Sequence, residues 1–592
     1  MTVYFDTEDD SAELAQAGRS GYEKRCTQIA AIASDGSRFY LTPKVTKRKK
    51  SSGGFVRKVW NVKPFLSWLT AMGPGVTVYA HNLAYDLGNL WPEDLDAVNV
   101  TLVGGRMISA KWQNCRFLDS FNIWPMSLKK VGKSVGLEKL EFDPQNPAYL
   151  WRDVEIVERA MNLAEEIAES YQCDLPSTLG GLCVRLWQSM GGVNWHCALE
   201  PAREAYFGGR VEIFAPEMAG DIFYTDVNSL YPSAMLNLFP ARDDQWFDLP
   251  DLDAARRCLC DLSWDVWGVV RVTMDIPQGL FVAPLPCRRE DGAVWYPTGR
   301  VSGWWTVHEI REAMRKGARL VDMTDAYGSQ EAFNYYQDFV VRAYAHRTKA
   351  QEAKDEGKSL FWKLVMNNLY GQIGQTGNIT RSVNLANHVR EIAGKKVQVT
   401  PGTAYGSKLL MDIQTPLAAH VNWLHAAYVT SYGRLALMRY LDMIPKDDLI
   451  YCDTDSIFFR SRTGEAPFPI SSGLGEMKLE DRVAWMVCRQ PKMYRYNSSK
   501  KGQQTKVKGV PNRENESGQN LQDIFFDTNK ATFKAPYKFK ESVRYLSQVR
   551  ANQVGNLTKV LSVWRDVTKE KRTEYDKKDL RGGRYFPKFI SP

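Results

Sequence analysis

Two carboxylates stand two positions apart in the run YCDTDSIFF, residues 451–459, which is otherwise largely apolar and aromatic. Side chains two apart on a strand point to the same face, so Asp453 and Asp455 are expected to lie side by side next to a core. Crowding two negative charges there costs free energy unless a cation neutralises them. The stretch therefore indicates a metal site. The alternative, for these residues alone, is a surface hairpin whose carboxylates face water.

A third carboxylate follows another apolar run, DIFYTDVNSLYPSAM, residues 221–235. The start of this run predicts a strand that ends near Asp226, and NSLYPS predicts a turn with Pro232 opening a helix. Mg²⁺ prefers carboxylate oxygens and leaves positions open for substrate phosphates. Asp226, Asp453 and Asp455 could together hold two divalent ions, which is equipment for phosphoryl transfer.

A basic and polar stripe lies between these acidic segments. In FWKLVMNNLYGQIGQ, Lys363, Asn367 and Tyr370 fall on one face of a predicted helix, and the glycine after Tyr370 stands where that helix is expected to end. A lysine, an amide and a tyrosine on one stripe could bind a triphosphate, a sugar and a base. Upstream, VVRAYAHRTKAQEAK adds Arg347 and Lys349 as further phosphate ligands. The alternative for any one of these cations is a side chain that snorkels along an amphipathic helix.

The amino-terminal segment contains a separate acidic set. Three elements carry it: Asp6 and Glu8 in VYFDTE; Asn82, Tyr85 and Asp86 in VTVYAHNLAYDLGNL; Tyr149 and Asp153 in YLWRDVEIVERAM. The first pair shares a strand face, and the last pair is four apart on a predicted helix. Four carboxylates and a tyrosine could hold two metal ions and position a water, which suits hydrolysis of a phosphodiester.

The length and composition of the whole chain limit the class of protein that can carry these residues. At 592 residues it needs several domains, and 44% hydrophobic with 12% aromatic residues is a globular composition. Apolar runs stay well short of the roughly 20 residues that span a bilayer, and the acidic start MTVYFDTEDD is unlike a targeting peptide. Ten cysteines without a C-x-x-C pair argue against zinc sites and disulfides. We therefore expect a cytoplasmic protein in the host-cell interior.

Positive charge is concentrated near the carboxyl terminus. From Arg489 onward there are 24 Lys and Arg against 10 Asp and Glu, in a chain whose net charge is +9. Aromatic residues interleave with this charge in KMYRY, YKFKESVRY and RGGRYFPKF. Such a pattern favours a track for a nucleic acid, with rings that stack on bases. A solvated basic surface is the alternative, and an anionic membrane surface is a weaker one.

In this order the motifs resemble those of the family B DNA polymerases. DVNSLYPS resembles motif A of that family, KLVMNNLYG motif B and YCDTDS motif C, while FDTE, HNLAYD and YLWRD resemble its three exonuclease motifs. PKMYRY, with Lys492 and Tyr494, resembles the lysine–any–tyrosine element that grips the primer strand. KVKGV, with Lys508, is similar to the basic-glycine element that follows it. The resemblance runs from residue 4 to about residue 511.

Further residues resemble the protein-primed branch of this family, found in phages, adenoviruses and linear plasmids. YFGGRVEIF, with Tyr206, Gly208 and Gly209, resembles its linker between exonuclease and polymerase modules; MSLKKVG, with Ser127 and Leu128, its Ser-Leu single-strand contact; and Lys139 its exonuclease lysine. The Ser-Leu element could instead be Ser120 in LDSFN. Asn367 follows Asp226 by 141 residues, and Asp453 follows Asn367 by 86, which leaves room for the two insertions of this branch.

The resemblance implies an α+β multidomain fold, in which an RNase H-like 3′→5′ exonuclease domain precedes a right-hand polymerase. The implied parts are an exonuclease domain (1–168), a first palm part (169–238) with the linker 206–210, a first insertion that contacts a terminal protein (239–338), fingers (339–376), a second insertion that forms a hairpin for processivity and strand displacement (377–412), a second palm part (413–512) and a thumb (513–592). From the residues themselves, KKVQVTPGTAYGSK within the second insertion predicts a β-hairpin.

The resemblance also implies roles for the candidate residues. In the polymerase half they are Asp226, Val227 and Asp455 as metal ligands supported by Asp453; Lys363, Arg347 and Lys349 on the triphosphate; Tyr231 under the sugar; Asn367 and Tyr370 at the base pair; Lys492, Tyr494 and Lys508 on DNA. In the exonuclease half they are Asp6, Glu8, Asp86 and Asp153 as metal ligands; Tyr149 and Lys139 in catalysis; Asn82, Tyr85, Ser127 and Leu128 on the frayed 3′ end.

The implied function is template-directed DNA synthesis with proofreading, by protein-primed, strand-displacing replication of a small linear or mobile genome. The implied cofactors are two Mg²⁺ or Mn²⁺ ions per site with dNTP substrates, and the partners are template-primer DNA and a terminal protein or equivalent primer, with no membrane and a monomeric state. Three alternatives remain: a primer-independent family B enzyme, an idle nucleic-acid-binding relative, and a nuclease with a decayed polymerase half. Intact acidic sets in both halves argue against the last two, because clustered negative charge repels a phosphate backbone.

Overall fold

The fold was analysed in a computed structural model of the chain. It describes residues 1–9, 26–43, 45–49, 56–91, 98–103, 106–141, 143, 146–241, 252–261, 265–289, 292–384, 397–398, 404–405, 408–414, 416–508, 510, 512, 514, 518–527, 538–542, 562–566, 575–576 and 586–587. Most of the predicted thumb and the middle of the second insertion therefore lie outside the described residues.

A mixed sheet forms the amino-terminal part. Its strands, in spatial order, are Asn99–Val103, Arg106–Trp112, Cys115–Asp119, Val76–Ala80, Thr2–Asp9, Cys26–Ala33 and Arg38–Leu41. Val76–Ala80 runs parallel to both of its neighbours. Along Thr2–Asp9, side chains alternate between two cores, because Val3 and Phe5 enter one cluster and Tyr4 enters the other with the helix Ala148–Ser170. Asp6 and Glu8 therefore lie near the end of a strand that packs against a hydrophobic core on each of its two faces.

A second sheet, here named the central sheet, is antiparallel throughout. Its strands, in order, are Val211–Ile213, Leu449–Asp453, Ser456–Arg460, Glu217–Val227, Met477–Gln490, Met493–Ser498 and Gly502–Val507. One face packs against the helix Trp423–Met443, where Leu437 and Leu441 join Phe223 and Val227 in a single core. The sheet thus fixes the ends of two strands taken from distant parts of the sequence.

The predicted first insertion contains a small sheet of its own. Its strands are Gly299–Thr306, Trp267–Ile276 and Arg319–Ser329, all antiparallel. The helix Val307–Arg315 starts at the end of the first of these, because the Thr306 hydroxyl accepts a hydrogen bond from the Glu309 N–H (3.3 Å). A separate core fills the space between this helix and the sheet.

Two consecutive helices carry the basic and polar stripe. Gln337–Glu352 and Glu356–Ile373 are joined by a short turn, so they pack side by side as an antiparallel pair. The Asp355 carboxylate caps the second helix by accepting a hydrogen bond from the Lys358 N–H (2.9 Å). This helix continues to Ile373 with Gly374 as its C-cap. The predicted end at the preceding glycine, residue 371, is therefore wrong.

The second insertion joins the amino-terminal sheet. Asn378–Asn384 pairs with Lys408–Gln414 on one side and with the edge strand Asn99–Val103 on the other. The sheet thereby grows to eleven strands. The two-residue strands inside KKVQVTPGTAYGSK, Val397–Gln398 and Ala404–Tyr405, both pair with Lys408–Gln414 and not with each other. The described residues therefore contain an antiparallel hairpin that reverses between Tyr405 and Lys408, inside the predicted stretch, and its second strand extends beyond that stretch to Gln414.

Further elements complete the described fold. The other α-helices are Lys63–Ala71, Leu83–Leu90, Leu128–Ser134, Leu179–Ser189, Glu200–Ala205, Leu230–Ala234, Leu252–Cys260 and Leu521–Asp527, with a 3₁₀ turn at Ser120–Asn122. The other strands are Val45–Lys49, Val56–Trp60, Phe239–Pro240, Cys287–Arg288, Val294–Trp295, Ala332–Phe333, Lys538–Ser542, Ser562–Asp566, Tyr575–Asp576 and Phe586–Pro587. None of the ten cysteines, all of them in the described part, forms a disulfide. Among the described residues, no helix has the length and hydropathy to cross a bilayer.

Candidate active sites

The first candidate site lies at a tight turn of the central sheet. Asp453 is the last residue of Leu449–Asp453, and the chain reverses at Thr454, whose φ is +64°, before Ser456–Arg460 begins. Asp455 therefore belongs to the turn. The prediction that Asp453 and Asp455 share one strand face is wrong, because the chain turns between them.

Asp226 lies directly beside this turn. It is the penultimate residue of Glu217–Val227 and stands opposite Ser456 in the strand register. The Val227 N–H donates to the Asp455 carbonyl oxygen (2.7 Å). Two adjoining strands therefore bring Asp226 and Asp455 together from positions 229 residues apart, as predicted. The helix that follows begins at Leu230, so Pro232 lies inside it and does not open it as predicted.

The three carboxylates of this site differ in their electrostatic surroundings. Burial raises the pKa of Asp226 to about 7, and the charges of Asp455 and Glu480 contribute. Burial also raises the pKa of Asp455, with a contribution from Asp453. Asp453 itself pairs with the Lys492 ammonium group and accepts a hydrogen bond from the Tyr451 hydroxyl (3.2 Å). The protein thus compensates Asp453, while Asp226 and Asp455 gain most from an added cation.

Glu480 is a site residue that the sequence did not reveal. It lies on Met477–Gln490, the strand that pairs with the Asp226 strand. Its carboxylate bonds Lys478 (2.8 Å), and its charge raises the pKa of Asp226. Only the register between these two strands brings Glu480 into the site, and no local motif indicates that register.

The predicted stripe on the second helix is present. Lys363 and Asn367 are exposed on one face, and Tyr370 is half-buried there. The Tyr370 ring packs against the ring of Tyr231, with centroids 4.4 Å apart. The positive charge of Lys363 lowers the pKa of Asp226, so the helix face and the acidic pair share one electrostatic environment.

The preceding helix contributes a half-buried cation, two of whose N–H groups are buried. Arg347 and Lys349 both lie on Gln337–Glu352, where Lys349 is exposed and Arg347 is half-buried. Two N–H groups of Arg347, at Nε and Nη1, are buried and have no hydrogen-bond partner among the described residues. A buried guanidinium group without partners is costly, so this one is suited to an anionic ligand.

The linker motif packs onto the same turn. A Cβ at Gly209 would lie 2.6 Å from the Thr454 side chain, so only glycine permits this approach. The Thr454 N–H donates to the Arg210 carbonyl oxygen (2.7 Å). Tyr206 reaches the end of Glu356–Ile373, the helix that carries Lys363, Asn367 and Tyr370 and is here named the stripe helix. A Cβ at Gly374 would lie 2.9 Å from the Tyr206 hydroxyl. Around Gly208 there is open space.

The lysine–any–tyrosine element also contacts the site. Besides its side-chain pairing with Asp453, the Lys492 N–H donates to the Tyr451 hydroxyl (2.9 Å), and the Lys508 N–H donates to the Lys492 carbonyl oxygen (2.9 Å). The Tyr494 ring packs against Tyr451, with centroids 5.0 Å apart. Lys508 is exposed.

The second candidate site is a carboxylate cluster on the amino-terminal sheet. Ligand oxygens of Asp6, Glu8 and Asp153 all lie within 4.8 Å of one another. Burial raises the pKa of Asp6 well above its ordinary value, and the charges of Asp86 and Asp153 add to this. Asp153 Oδ1 is buried and has no hydrogen-bond partner among the described residues. Oxygen ligands at this spacing, one of them unsatisfied, fit a hard divalent cation.

Asp86 adjoins this cluster in a fixed orientation. The Thr7 N–H (3.1 Å) and the Thr7 hydroxyl (2.7 Å) both donate to Asp86 Oδ1. Asn89 in turn donates to the Thr7 hydroxyl (2.8 Å). Three of the four predicted carboxylates therefore form the compact group, and Asp86 lies next to it with one oxygen held by Thr7.

Two further predicted residues line the cluster. The Lys139 ammonium group pairs with Asp153 and lies over the Tyr149 ring, 4.5 Å from its centroid. Burial raises the pKa of Tyr149, so its hydroxyl stays protonated near neutral pH. Lys139 and Tyr149 thus meet at the carboxylate that the helix Ala148–Ser170 supplies.

A neighbouring loop orients Asn82 through a residue that sequence reasoning missed. Asn82 has φ +70°, and its N–H donates to Asp119 Oδ1 (2.8 Å). Burial raises the pKa of Asp119 to about 6. Ser120 is buried and bonds His81 Nδ1 (3.0 Å), while Ser127 is the exposed N-cap residue before Leu128. Ser120 is therefore more closely connected to Asn82 than Ser127 is.

Comparison with known proteins relates the chain that carries these two sites to a family. A model described as DNA polymerase type B, organellar and viral, matches residues 136–398. The DNA-directed DNA polymerase of Enterobacteria phage PRD1 is 22% identical over 448 residues, which cover 69% of this chain and 72% of that protein. These matches make the chain a relative of the family B DNA polymerases. The prediction of a family B polymerase related to the protein-primed phage enzymes is confirmed.

Three further proteins are similar to this chain, and the matched region covers a different share of each of them. A probable DNA polymerase of Ascobolus immersus is 27% identical over 303 residues, 49% of this chain and 24% of that protein. The primer-independent DNA polymerase PolB of Escherichia coli is 23% identical over 416 residues, 58% of this chain and 44% of that protein. The structure of phi29 DNA polymerase with primer-template DNA and incoming nucleotide superposes with a TM-score of 0.63 at 16% identity, over 91% of this chain and 95% of that one. The α+β fold is therefore shared with that polymerase.

Proposed function

We propose that this polymerase copies a DNA template at the central site and removes mismatched 3′ nucleotides at the amino-terminal site. The observation that carries the proposal is the meeting of Asp226 and Asp455 on adjoining strands, within electrostatic range of Lys363 on the stripe helix. Extension of a labelled primer with four dNTPs, and trimming of a mismatched primer without them, test the two activities. A wild-type protein that does neither contradicts the proposal.

At the central site, Asp226, Val227 and Asp455 would hold two divalent ions, Mg²⁺ or Mn²⁺, with Asp453 in support. When bound, the ions would supply positive charge for the triphosphate and for the departing pyrophosphate. The raised pKa values of Asp226 and Asp455 support this, because a nearby cation restores the ionised form of a crowded carboxylate. The remaining work of the protein is to align the primer hydroxyl with the α-phosphate.

The two neighbouring helices would bind the incoming nucleotide. Lys363, Arg347 and Lys349 would bind the triphosphate, and the unpartnered N–H groups of Arg347 support that role. Tyr231 would pack under the sugar and exclude a 2′-hydroxyl, supported by its packing against Tyr370. Asn367 and Tyr370 would then flank the new base pair.

The DNA itself would be held by residues around the turn. Lys492 and Tyr494 would grip the primer end, with Lys508 on the backbone; their link to Asp453 and Tyr451 supports this. The linker residues Tyr206, Gly208 and Gly209 would guide the strand between the two sites, as their packing against Thr454 and the stripe helix supports.

At the amino-terminal site, the compact group Asp6, Glu8 and Asp153, with Asp86 beside it, would hold the metal ions of a 3′→5′ exonuclease. Tyr149 would orient the attacking water, and Lys139 would hold Asp153 in place. Asn82 and Tyr85 would hold the frayed 3′ end, together with Ser127 and Leu128 or with Ser120. Proximity of the three carboxylates supports the assignment.

We expect the second insertion to act as a strap around the DNA. Its pairing with the edge strand Asn99–Val103 supports this, because that pairing ties it to the amino-terminal sheet. Deleting residues 377–412 is expected to shorten products on a nicked template, where synthesis must displace a strand, while extension on a primed single strand continues. Unchanged displacement and product length would count against the strap.

The priming mode has two candidates. Similarity to the phage enzymes favours a terminal protein, docked on the first insertion, whose hydroxyl serves as primer for a monomeric polymerase. Similarity to a relative named primer-independent favours chain initiation without a primer. Incubating the enzyme with template, dNTPs and metal alone separates them: protein priming predicts no product, and labelled chains would establish the second mode.

A further inference from the structure

One long helix connects the two candidate sites. Ala148–Ser170 has 23 residues and is therefore about 35 Å long. Its first turns carry Tyr149 and Asp153 of the amino-terminal site. Its C-cap residue, Tyr171, reaches the other half of the molecule, where the Tyr171 hydroxyl bonds His346 Nε2 (2.6 Å).

His346 in turn stacks on the second nucleotide-binding helix. Its ring lies flat on the Trp362 ring, with centroids 4.6 Å apart and planes 11° from parallel. The Tyr171 ring meets both edge-on, each at 6.0 Å. His346 directly precedes Arg347, and Trp362 directly precedes Lys363. Three aromatic rings from three helices thus meet one residue away from two proposed phosphate ligands.

The hydrogen bond joins a hydroxyl to a ring nitrogen, and the tautomer of His346 decides which of the two donates. Burial lowers the pKa of His346, and the charge of Lys349 adds to this. The Tyr171–His346 hydrogen bond is exposed to solvent. The ion pair of Lys358 with Glu166 (3.2 Å), which joins the long helix to Glu356–Ile373, is exposed as well and contributes little.

We propose that Tyr171, His346 and Trp362 form a brace that positions the two nucleotide-binding helices, with Tyr171 and His346 as positioning residues for the incoming dNTP. The inference rests on the proposed polymerase function. Neither residue would touch the nucleotide. Small displacements of a charged ligand group weaken binding, so losing the brace should act on nucleotide affinity. The carboxylates of the central sheet lie on other elements and should keep their catalytic rate.

Two substitutions separate the parts of the brace. Tyr171→Phe removes only the hydroxyl, and His346→Phe keeps a flat ring on Trp362 but removes the nitrogen that bonds the Tyr171 hydroxyl. Each is expected to raise the KM for dNTP about two- to tenfold, as the loss of one hydrogen bond allows, with kcat nearly unchanged. The double variant should raise KM no further than either single variant, because both remove the same bond.

The matched control is Tyr40→Phe in the amino-terminal part. It removes a hydroxyl that donates to Gln28 (3.2 Å) from a ring that also stacks on a tryptophan, Trp151. This control should leave KM, kcat and single-strand exonuclease rate at wild-type values. The two brace variants should likewise keep the exonuclease rate and the Tm.

The outcomes distinguish the brace from the proposed function. A wild type that fails to extend primers refutes the function, and the brace is then judged by dNTP binding to the enzyme on a dideoxy-terminated primer-template. Weaker binding in both variants supports it. Unchanged affinity in that assay, unchanged KM with an active wild type, or a fall in kcat alone would overturn it.

Discussion

Replacing Asp455 with asparagine is expected to abolish primer extension while primer-template binding stays near the wild-type level. The substitution keeps the size of the side chain and removes one of two charges that would hold the metal ions at the turn. The loss should be at least about a thousandfold, the upper range for one electrostatic contact at a reacting centre. Single-nucleotide incorporation by rapid quench and duplex affinity by gel shift measure the two quantities.

The matched control is Asp221→Asn on the strand that carries Asp226. The Asp221 carboxylate is half-buried and bonds Arg482 (3.2 Å) on the same sheet. The Asp221→Asn variant tests whether the loss of any carboxylate near these strands impairs nucleotide incorporation. A metal ligand should matter far more than this control carboxylate. If Asp455→Asn incorporates nucleotides at a rate within about tenfold of the control, the assignment of Asp455 as a metal ligand is contradicted.

Replacing Asp6 with asparagine is expected to abolish removal of a mismatched 3′ nucleotide and to leave polymerisation intact. Asp6 is central to the compact carboxylate group, and its sheet is separate from the one that carries Asp226. Excision of a mismatched primer without dNTPs, and extension of a matched one, measure the two activities. Asp35→Asn is the control, because that exposed carboxylate only caps a turn of the same sheet by accepting from the Ser37 N–H (2.9 Å).

Thermal stability gives a second measurement on the same variant. The folded-state pKa of Asp6 is raised above its ordinary value, so without metal the stability it contributes is present below that ordinary pKa and is lost as pH rises through the raised one. In chelator at neutral pH, Asp6→Asn should therefore melt higher than wild type. Divalent metal should raise the Tm of wild type more than that of the variant. Excision retained by Asp6→Asn, or equal metal stabilisation of both proteins, would contradict the role of Asp6.

The parts of the sites that sequence could predict are those set by local periodicity. Lys363, Asn367 and Tyr370 share a helix face because residues three and four apart always do. Asp6 and Glu8 share a strand end for the corresponding reason in a strand. The α+β class and the polymerase family came instead from the resemblance of several motifs, taken in order, to those of the family B DNA polymerases.

The parts that sequence could not predict depend on pairing between distant segments. Glu480 enters the site through the register of two strands, and Asp119 holds Asn82 across a loop. The reversal at Thr454 depends on a positive φ at a non-glycine residue, for which the motif gives no signal. Pairing of the second insertion with the strand Asn99–Val103 uses backbone groups, so side-chain patterns do not indicate it.

The most direct test is a crystal structure of the enzyme with primer-template, an incoming nucleotide and Mn²⁺, read by anomalous scattering. The account predicts manganese peaks beside the carboxylates of Asp226 and Asp455 at the central turn, and further peaks beside those of Asp6, Glu8 and Asp153. Peaks absent from both positions while nucleotide and DNA are bound, or carboxylates turned away from a common ion, would contradict it.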